Sequence, residues 1–398
     1  MLPASMSIEP LTSAELAEPR PLATEHRRRG LVFLALAAGG VGFALAVQMG
    51  VNENFVVDVL GLGGLQRGLL ETFRETCGMT ALAVLALLAG LVEPLVGAAV
   101  LLLFAVGLGG YTFVPSYGWL IAASLVWSQG LHVWMPLPQS MAMALAEPGR
   151  TGRRVGQVQA ATAAGSGLGL GAALALTAGG VPIRPLYLVA GAAALLAAGA
   201  CLGIPRKIKT PGPRLVFRRK YGLFYLLSFL EGWRKQIFLC FAAFLLVRVY
   251  ATPLPTMLLL WIAVQAIGWV VSPHVGRLID RVGERRVLVG YFACLTLFFA
   301  GYALLPFRGA LFVLFVVDSA FFVFAMALTT FVSRIAPPGE HTATLSMGVA
   351  MNHVAAVTMP LVGGLLWQYA DYRLVFAMGA AVAAASVLAA LRVPPRGA

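Results

Sequence analysis

Residues 276–286 read GRLIDRVGERR, a segment with two glycines and six charged residues. It separates two apolar stretches, 255–275 and 287–305, each of about the 20 residues that a helix needs to cross a bilayer. A segment this short and this charged between two spans predicts a tight connection at a membrane surface. Its arginines indicate the cytoplasmic surface, because cytoplasmic loops of membrane proteins are enriched in Lys and Arg.

The composition of the whole chain extends this interpretation. Of its 398 residues, 60% are hydrophobic and only 11% are charged, whereas soluble domains carry about 25% charged residues. This composition predicts an all-α polytopic membrane protein. The net charge of +13 falls mainly in short loops, without a basic patch that is interleaved with aromatic residues, so we expect no nucleic-acid partner.

Twelve apolar segments of spanning length can be drawn, which predicts 12 transmembrane helices. In chain order, predicted helices 1–12 cover residues 30–52, 65–89, 94–113, 118–145, 155–180, 185–204, 221–249, 255–275, 287–305, 309–333, 343–369 and 372–392.

A linker is predicted at residues 205–220, where proline, glycine and basic residues prevent a continuous helix. It divides the chain into two six-helix halves, 29–204 and 221–392, an organisation known in transporters built from repeats. Residues 1–28 are predicted to form a disordered tail, and residues 393–398 a second, short tail. The arginine excess on the side of both tails places both termini in the cytoplasm, with the protein in an inner or plasma membrane.

Glycine spacing supports pseudo-symmetry of the two halves. Gly156 and Gly171 in predicted helix 5 are fifteen residues apart, and so are Gly348 and Gly363 in predicted helix 11. Both helices follow a charged turn that contains Pro-Gly. The pattern favours an internal repeat in which predicted helices 5 and 11 are equivalent.

The opening segment resembles the signature loop of the major facilitator superfamily: glycine, three residues, aspartate, a basic residue, one residue, glycine, then basic residues. The matching residues are Gly276, Asp280, Arg281, Gly283, Arg285 and Arg286. In that family the pattern lies between helices 2 and 3 and often recurs between helices 8 and 9. The resemblance therefore implies the major facilitator fold and a solute transporter. Glu284 departs from the pattern, and the first-half counterpart, residues 90–94 (GLVEP), lacks the aspartate and every basic residue.

We expect the segment 276–286 to act as a gating loop. Gly276 leaves room for a close helix approach, and Asp280 can accept hydrogen bonds at a helix N-terminus, where the helix dipole favours negative charge. By pseudo-symmetry that helix is predicted helix 5, beside Arg153 and Arg154. Asp280 is therefore predicted to latch the cytoplasmic side closed, and the alternative is a topology signal without a role in gating.

Ionisable residues inside the predicted spans are the main functional candidates, because charge at membrane depth is costly. Predicted helix 7 carries Glu231, Arg234 and Lys235 at spacings that allow pairing within the helix. Asp318 in predicted helix 10 is the expected partner for the remaining positive charge. We predict that Arg234 and Lys235 bind the charged group of the substrate.

A second charged group lies in predicted helix 2. Glu71 and Glu75 are like charges four residues apart, which makes them candidates to carry a proton when buried. The predicted proton-coupling residues and buried charges are Glu71, Arg74, Glu75, Glu231 and Asp318. An alternative prediction for Arg67, and for Glu53 and Asp58 at the end of predicted helix 1, is that they lie at the outer interface, where charge costs little.

Polar residues in other spans complete the predicted substrate site. Its members are Arg234, Lys235, Gln236, Asn52, Gln129, His132, Gln265, Asn352 and His353. The two histidines titrate near neutral pH and are candidates to contact substrate or proton, with simple packing as the alternative. Met347, Met351 and His353 would suit copper, but methionine is a common packing residue, so no metal is predicted.

These observations predict a secondary active transporter that works by alternating access. Four basic residues at or near membrane depth favour an organic anion or zwitterion as the small polar solute, and the carboxylates favour proton coupling. Gly156, Gly165 and Gly169 match glycine spacings of drug antiporters in the family, so a multidrug/proton antiporter is an alternative, as is a non-transporting receptor. Because the sequence contains no nucleophile–base arrangement or phosphate loop, we expect neither an enzyme nor a cofactor. The expected partners are substrate, protons and membrane lipid, and the expected state is a monomer.

Overall fold

A computed structural model describes residues 24–210, 217–337 and 340–395. Twelve helical passes follow one another along these residues, and we number them α1 to α12. They are α1 Thr24–Asn54, α2 Gly64–Leu87, α3 Glu93–Gly110, α4 Tyr117–Trp134 with Leu137–Leu145, α5 Thr151–Ala178, α6 Ile183–Cys201, α7 Gly222–Ile237 with Ala243–Arg248, α8 Leu254–Val282, α9 Glu284–Leu304, α10 Arg308–Phe321 with Met326–Ile335, α11 His341–Tyr369 and α12 Tyr372–Ala390.

The all-α fold with twelve passes confirms the prediction. Nine of the described passes are long and apolar enough to cross a membrane. The other three, α2, α4 and α7, are interrupted by charge or by irregular turns. A π-helical turn, Phe238–Ala242, joins the two segments of α7, and another, Phe55–Val59, follows α1. The protein is therefore an integral membrane protein of twelve helices, and the side of the membrane that holds its termini stays a prediction.

The opening segment differs from the expected loop. Helix α8 continues through Val282, and α9 begins at Glu284, so only Gly283 separates the two helices. Gly283 has φ 84°, a left-handed conformation that glycine adopts without steric cost. A side chain at Gly276 would meet nothing within 4 Å. The prediction of an eleven-residue loop, with close helix approach at Gly276, is therefore wrong: the charges lie on the last turns of one helix and the first turn of the next.

The predicted tails and linker are described only in part. Residues 1–23, 211–216 and 396–398 lie outside the described residues, so the tail at 1–28, the middle of the linker and the end of the second tail stay predictions. The described start of the linker pairs with the connection between α2 and α3. Glu93 N donates to the Ile208 carbonyl at 2.9 Å, and Thr210 N donates to the Leu91 carbonyl at 2.9 Å. The linker is thereby attached to the first half.

Helix packing in the first half depends on glycines other than those of the predicted repeat. A side chain at Gly165 of α5 would collide with the backbone of Gly39 in α1, whereas a side chain at Gly156 or Gly171 would meet nothing within 4 Å. In the second half, Gly348 and Gly363 do pack closely, against Phe224 and Phe241 of α7. The glycines at this fifteen-residue spacing therefore pack differently in the two halves, and their spacing is not evidence for the internal repeat.

A different pair of residues is equivalent in the two halves. Helix α3 begins at Glu93 and α9 at Glu284, and both carboxylates are buried. Ser140, at the end of α4, donates to Glu93 at 3.1 Å. Arg334, at the end of α10, lies 3.3 Å from Glu284. In each half, a buried glutamate thus joins the start of the third helix to the end of the fourth.

The two halves meet tightly at the end of the bundle opposite the described termini, which we call the far end. Asn54 Nδ2 donates to the Thr252 carbonyl at 3.0 Å, and Gly64 of α2 lies directly against the ring of Trp367 in α11. Gly68 of α2 approaches the Pro360 carbonyl, where a larger side chain has no room. The far end is therefore closed in this conformation.

Candidate functional site: a charged cavity between the halves

Two adjoining cavities lie at the centre of the bundle. The larger has a volume of about 340 Å³ and the smaller about 150 Å³, and both are lined by Leu45, Met49, Leu239 and Trp261. The walls come from α1, α2, α4, α5, α7, α8 and α10, so they include both halves. Leu239 belongs to the π-helical turn of α7, a type of irregularity that is frequent at functional sites.

A chain of buried ion pairs forms one wall of the smaller cavity. Arg67 of α2 lies 2.8 Å from Glu53 of α1 and 2.9 Å from Glu71. Arg74 pairs with Glu71, and it lies 3.6 Å from Glu75. We call Glu53, Arg67, Glu71, Arg74 and Glu75 the α2 network. Arg67 and Glu53 are only 2% and 6% exposed, so both are enclosed by protein, and their depth in the membrane stays a prediction.

The α2 network also reaches the second half. Arg67 donates to the Leu239 carbonyl at 3.5 Å. Glu75 Oε2 lies 3.4 Å from Nδ1 of His353 in α11. His132 of α4 is nearby, since the centroids of the two imidazole rings are 5.3 Å apart. Gly78 makes this approach possible, because any side chain there would overlap the His353 ring. Residues from α2, α4 and α11 therefore meet at the boundary between the halves.

The larger cavity has its own cationic group. Lys235 lines it together with Gln265, Ser166 and Ser319. The Lys235 Nζ donates to Asn352 Oδ1 at 2.6 Å, and not to Glu231 as its helical spacing suggested. Trp261 lines both cavities, and its Nε1 has no hydrogen-bond partner among the described residues. The larger cavity therefore combines an ammonium group and polar side chains with apolar walls.

A second group of ion pairs is enclosed within the second half. Arg234 is fully buried and lies 3.6 Å from Glu231 and 3.7 Å from Asp318. Tyr291 of α9 donates to both Glu231 oxygens at 2.9 Å and contacts the Arg234 guanidinium. The guanidinium also stacks over the Phe322 ring at 4.0 Å. We call Glu231, Arg234, Tyr291 and Asp318 the α7 cluster. The expected pairing of Arg234 with Asp318 is present, but none of the four lines either cavity.

The structure brings most of the predicted site residues together. Asn52, His132, Gln265, Lys235, Arg74 and Glu75 line the two cavities. Asn352 and His353 adjoin them through the contacts given above. Gln236 is buried away from both cavities, and Gln129 accepts from Thr80 at 2.7 Å.

Aromatic residues were missed in the sequence interpretation. Trp127 and Trp261 line the smaller cavity, and Arg74 stacks over Trp127 at 5.2 Å. Tryptophan in membrane proteins is enriched at the two interfaces. A tryptophan away from the ends of a predicted span is therefore a sign of a functional position, and Trp127 and Trp261 both lie at such positions.

The predicted gating residues lie at the opposite end from the closed far end. Asp280 and Arg281 are exposed on the last turns of α8. One of the expected latch partners, Arg154, pairs with Glu147 at 2.6 Å and donates to Gln157 at 2.9 Å. The hydrogen bonds from Arg154 lower the pKa of the Glu147 carboxyl to about 2. Whether Asp280 latches the protein stays a prediction.

Known proteins share this architecture. The sequence profile of the Major Facilitator Superfamily matches residues 255–398. The solved structure of a mutant nucleoside transporter NupG superposes with a TM-score of 0.77 at 15% identity, covering 91% of this chain and 99% of that chain. A mutant peptide transporter POT gives 0.72 at 12% identity, covering 91% and 93%. A D-xylose–proton symporter gives 0.67 at 14% identity, covering 92% and 98%.

A search of curated protein sequences found no significant match. The solved structures are too distant in sequence to show more than a common fold, which extends over about nine-tenths of the chain. The sequence profile matches α8 to α12, including the segment 276–286. The profile match over the last five helices and the common fold over nine-tenths of the chain confirm the resemblance to the major facilitator superfamily that the segment 276–286 indicated.

Proposed function

We propose that the protein is a secondary active transporter that moves a small organic anion or zwitterion through the cavity between its halves. The observation that carries the proposal is the α2 network, because four of its five charged residues are buried and four of them line the smaller cavity. Charge is costly at membrane depth, and it is typical of substrate and ion pathways. The nucleoside, peptide and xylose transporters that share the fold support transport of a small polar solute.

The size of the cavity favours a small solute. Pockets for drug-sized ligands have volumes of about 300–1,000 Å³, and the larger cavity, at about 340 Å³, is at the lower limit. Its walls carry a cation, two serines and a glutamine in addition to apolar residues. These features argue against the multidrug antiporter, which requires room for large apolar compounds.

The position of the cations favours an anionic group on the substrate. Lys235 and Arg74 line the cavities, whereas Arg234 is neutralised inside the α7 cluster. We place the anionic group of the substrate between Lys235 of the larger cavity and Arg74 of the smaller one, and its body against Trp261 and Phe238. The sequence predicted that Arg234 and Lys235 both bind the charged group of the substrate. We now assign this role to Lys235 and not to Arg234.

We propose that the substrate anion and Glu71 compete for Arg74, and that this competition couples transport to protons. In this conformation Arg74 is neutralised by Glu71, with Glu75 nearby. A substrate anion that binds Arg74 takes this partner from Glu71, which then retains only Arg67 and its competing carboxylate Glu53. A buried carboxylate that loses a cation binds a proton more readily. We propose that Glu71 takes up the proton that accompanies the anion.

Alternating access then requires the far end to open. Opening separates the first half from the second, so it must break the Asn54–Thr252 hydrogen bond and the contact between Arg67 and the Leu239 carbonyl. Because Arg67 also holds Glu53 and Glu71, opening is expected to rearrange the α2 network. The coupling between substrate, proton and conformation is proposed to lie in this single group of residues.

The test starts with purified protein. A thermal-shift screen against metabolite classes at two pH values is expected to find stabilisation by a small anion or zwitterion. That compound is then expected to accumulate in proteoliposomes when a proton gradient is imposed. Binding without any flux would favour the receptor alternative. Accumulation that is the same with and without the proton gradient would contradict proton coupling.

A matched pair of variants tests the substrate position. Lys235→Met removes the cavity cation, and we expect KM to rise by about tenfold, since one hydrogen bond to a charged group contributes about 1.5–3 kcal/mol. Lys207→Met removes an exposed lysine of the linker and is expected to leave KM unchanged. Equal KM values in both variants would contradict the anion position.

A further inference from the structure

Three side chains at the boundary between the halves have the composition of a metal site. They are Glu75 of α2, His132 of α4 and His353 of α11, and one potential ligand atom of each lies within 4.8 Å of the other two. Two imidazoles and one carboxylate are the donor set of several zinc enzymes, and imidazole also suits Fe, Ni and Cu. The three residues are 57 and 221 positions apart along the chain, so no local sequence motif marks them.

The distances fit metal ligands better than a hydrogen bond. His353 Nδ1 lies 3.4 Å from Glu75 Oε2, and this buried nitrogen makes no hydrogen bond to the described residues. A tetrahedral zinc ion with bonds of about 2.0–2.1 Å holds its ligand atoms about 3.3 Å apart. Glu75 and His353 are therefore already at the separation of two ligands, and His132 needs only a small side-chain movement to complete the set.

Neighbouring groups orient two of the three ligands, Glu75 and His132, in the way that metal sites require. The other carboxylate oxygen of Glu75, Oε1, faces Arg74 at 3.6 Å. The Nδ1 of His132 lies 2.9 Å from the Ser128 carbonyl, which favours a proton on Nδ1 and leaves Nε2 as the donor to a metal. Contacts of this kind behind the ligands fix their tautomer and orientation. The smaller cavity adjoins the group and includes Gln48 and Asn52, which leaves space for water or a further ligand.

We propose that Glu75, His132 and His353 bind a divalent transition-metal ion of the zinc class, and that the bound ion holds the two halves together. Glu75 and His132 belong to the first half and His353 to the second, so the ion can keep all three ligands only while the halves stay in contact here. Metal occupancy therefore favours this conformation and slows the transport cycle. The lock rests on the proposed transport function, whereas metal binding does not.

Metal binding is tested on the purified, untagged full chain with Co²⁺ as a spectroscopic probe and Zn²⁺ as competitor. We expect one Co²⁺ per chain, with visible absorption bands that Zn²⁺ abolishes. Changes to the residues that merely orient a ligand weaken metal binding by about 10- to 100-fold, so loss of a ligand in His353→Gln or Glu75→Gln is expected to cost at least about 100-fold. His274→Ala, which removes an exposed histidine of α8, is the control and is expected to bind as the wild type does.

A second variant separates loss of the site from loss of the fold. Gly78→Ala keeps all three ligands but displaces the His353 ring, so metal binding is expected to weaken while the circular-dichroism spectrum stays that of the wild type. The site is overturned if wild-type protein shows no saturable Co²⁺ binding. It is equally overturned if folded His353→Gln and Glu75→Gln proteins bind Co²⁺ as tightly as the control.

The lock has a separate test. Zn²⁺ is expected to raise the Tm of the wild type but not of His353→Gln, and to inhibit substrate flux in wild-type proteoliposomes. Movement of Zn²⁺ itself into wild-type proteoliposomes, absent from protein-free liposomes, would overturn the lock, because the ion would then be cargo. Failure of all substrate flux with normal Co²⁺ binding would contradict the proposed function and leave the metal site in place.

Discussion

The α2 network and the α7 cluster are alike in composition and different in position. Each buries arginine and carboxylates at membrane depth, and each arises from charges on one helix at i,i+3 or i,i+4 spacing. The α2 network lines the smaller cavity and contacts α7 and α11 of the other half. The α7 cluster is closed off by Tyr291 and Phe322, and its described partners all belong to the second half.

We propose that this difference separates charge with a structural role from charge with a role in transport. Arg234 has two carboxylates, a tyrosine hydroxyl and an aromatic face around it, and it keeps these neighbours in every conformation in which the second half moves as a unit. The contacts of Arg67 and Glu75 reach α7 and α11, and these contacts must change when the halves separate. A buried ion pair at the boundary between moving parts can couple charge to conformation, whereas one inside a rigid part cannot.

The largest expected effect is on folding, from Arg234→Ala. Removing one partner of a buried ion pair costs about 3–5 kcal/mol, because the remaining charge is left without compensation. We expect a strongly lowered Tm and little folded protein. The triple variant Arg234→Leu, Glu231→Leu, Asp318→Leu removes all three charges and is expected to recover much of this stability. A triple variant that keeps normal stability but loses all flux would contradict the structural role of the cluster.

Arg74→Gln is expected to act on transport instead. It removes the guanidinium that we propose the substrate anion contacts, and hydrogen bonds to charged groups contribute about 1.5–3 kcal/mol. We therefore expect kcat/KM to fall by about 10- to 100-fold, with a smaller loss of Tm than in Arg234→Ala. Arg248→Gln changes an exposed arginine at the end of α7 and is the control. Equal transport by the two variants would remove the functional distinction between the network and the cluster.

Two glycines of α5 offer a third comparison, within the first half. Gly165→Ala forces a methyl group into the backbone of Gly39, and overpacking of this kind costs about 1–3 kcal/mol. Gly171→Ala in the same helix meets open space and is expected to change stability by less than about 0.5 kcal/mol. Thermal unfolding of both variants in detergent measures the difference. Equal Tm values would contradict the close contact of α1 and α5.

The smallest expected effect concerns pH. The pKa of Glu147 is about 2 in the folded protein, below its ordinary value of 4.5. The stabilisation from its pair with Arg154 is therefore present above pH 4.5 and is lost only as pH falls towards 2. Glu147→Gln is expected to leave the pH profile of transport between pH 5 and 8 unchanged.

Glu71→Gln is expected to flatten the pH profile of transport over the same range. A flattened profile in Glu147→Gln, rather than in Glu71→Gln, would contradict the assignment of the proton to Glu71.

Local patterns predicted much of the fold. The twelve helices begin and end within several residues of the predicted positions, because apolar length is a property of consecutive residues. The pairing of Glu231 with Arg234 follows equally from helical spacing. The segment 276–286 was located correctly between α8 and α9, but its helical structure was missed, since charge was interpreted as a sign of loop.

Contacts between distant residues decided the rest. Composition and hydropathy determined by themselves that the chain is a twelve-helix membrane protein with charged residues in the helices α2 and α7, because insertion into a bilayer depends on each segment separately. Only the tertiary structure decided which charges face the cavity. Helices related by no local pattern place Asp318 and Tyr291 around Arg234, and place His132 and His353 beside Glu75. Arg234 is thereby enclosed within one half, whereas Arg67 and Arg74 lie on the cavity wall at the boundary between the halves.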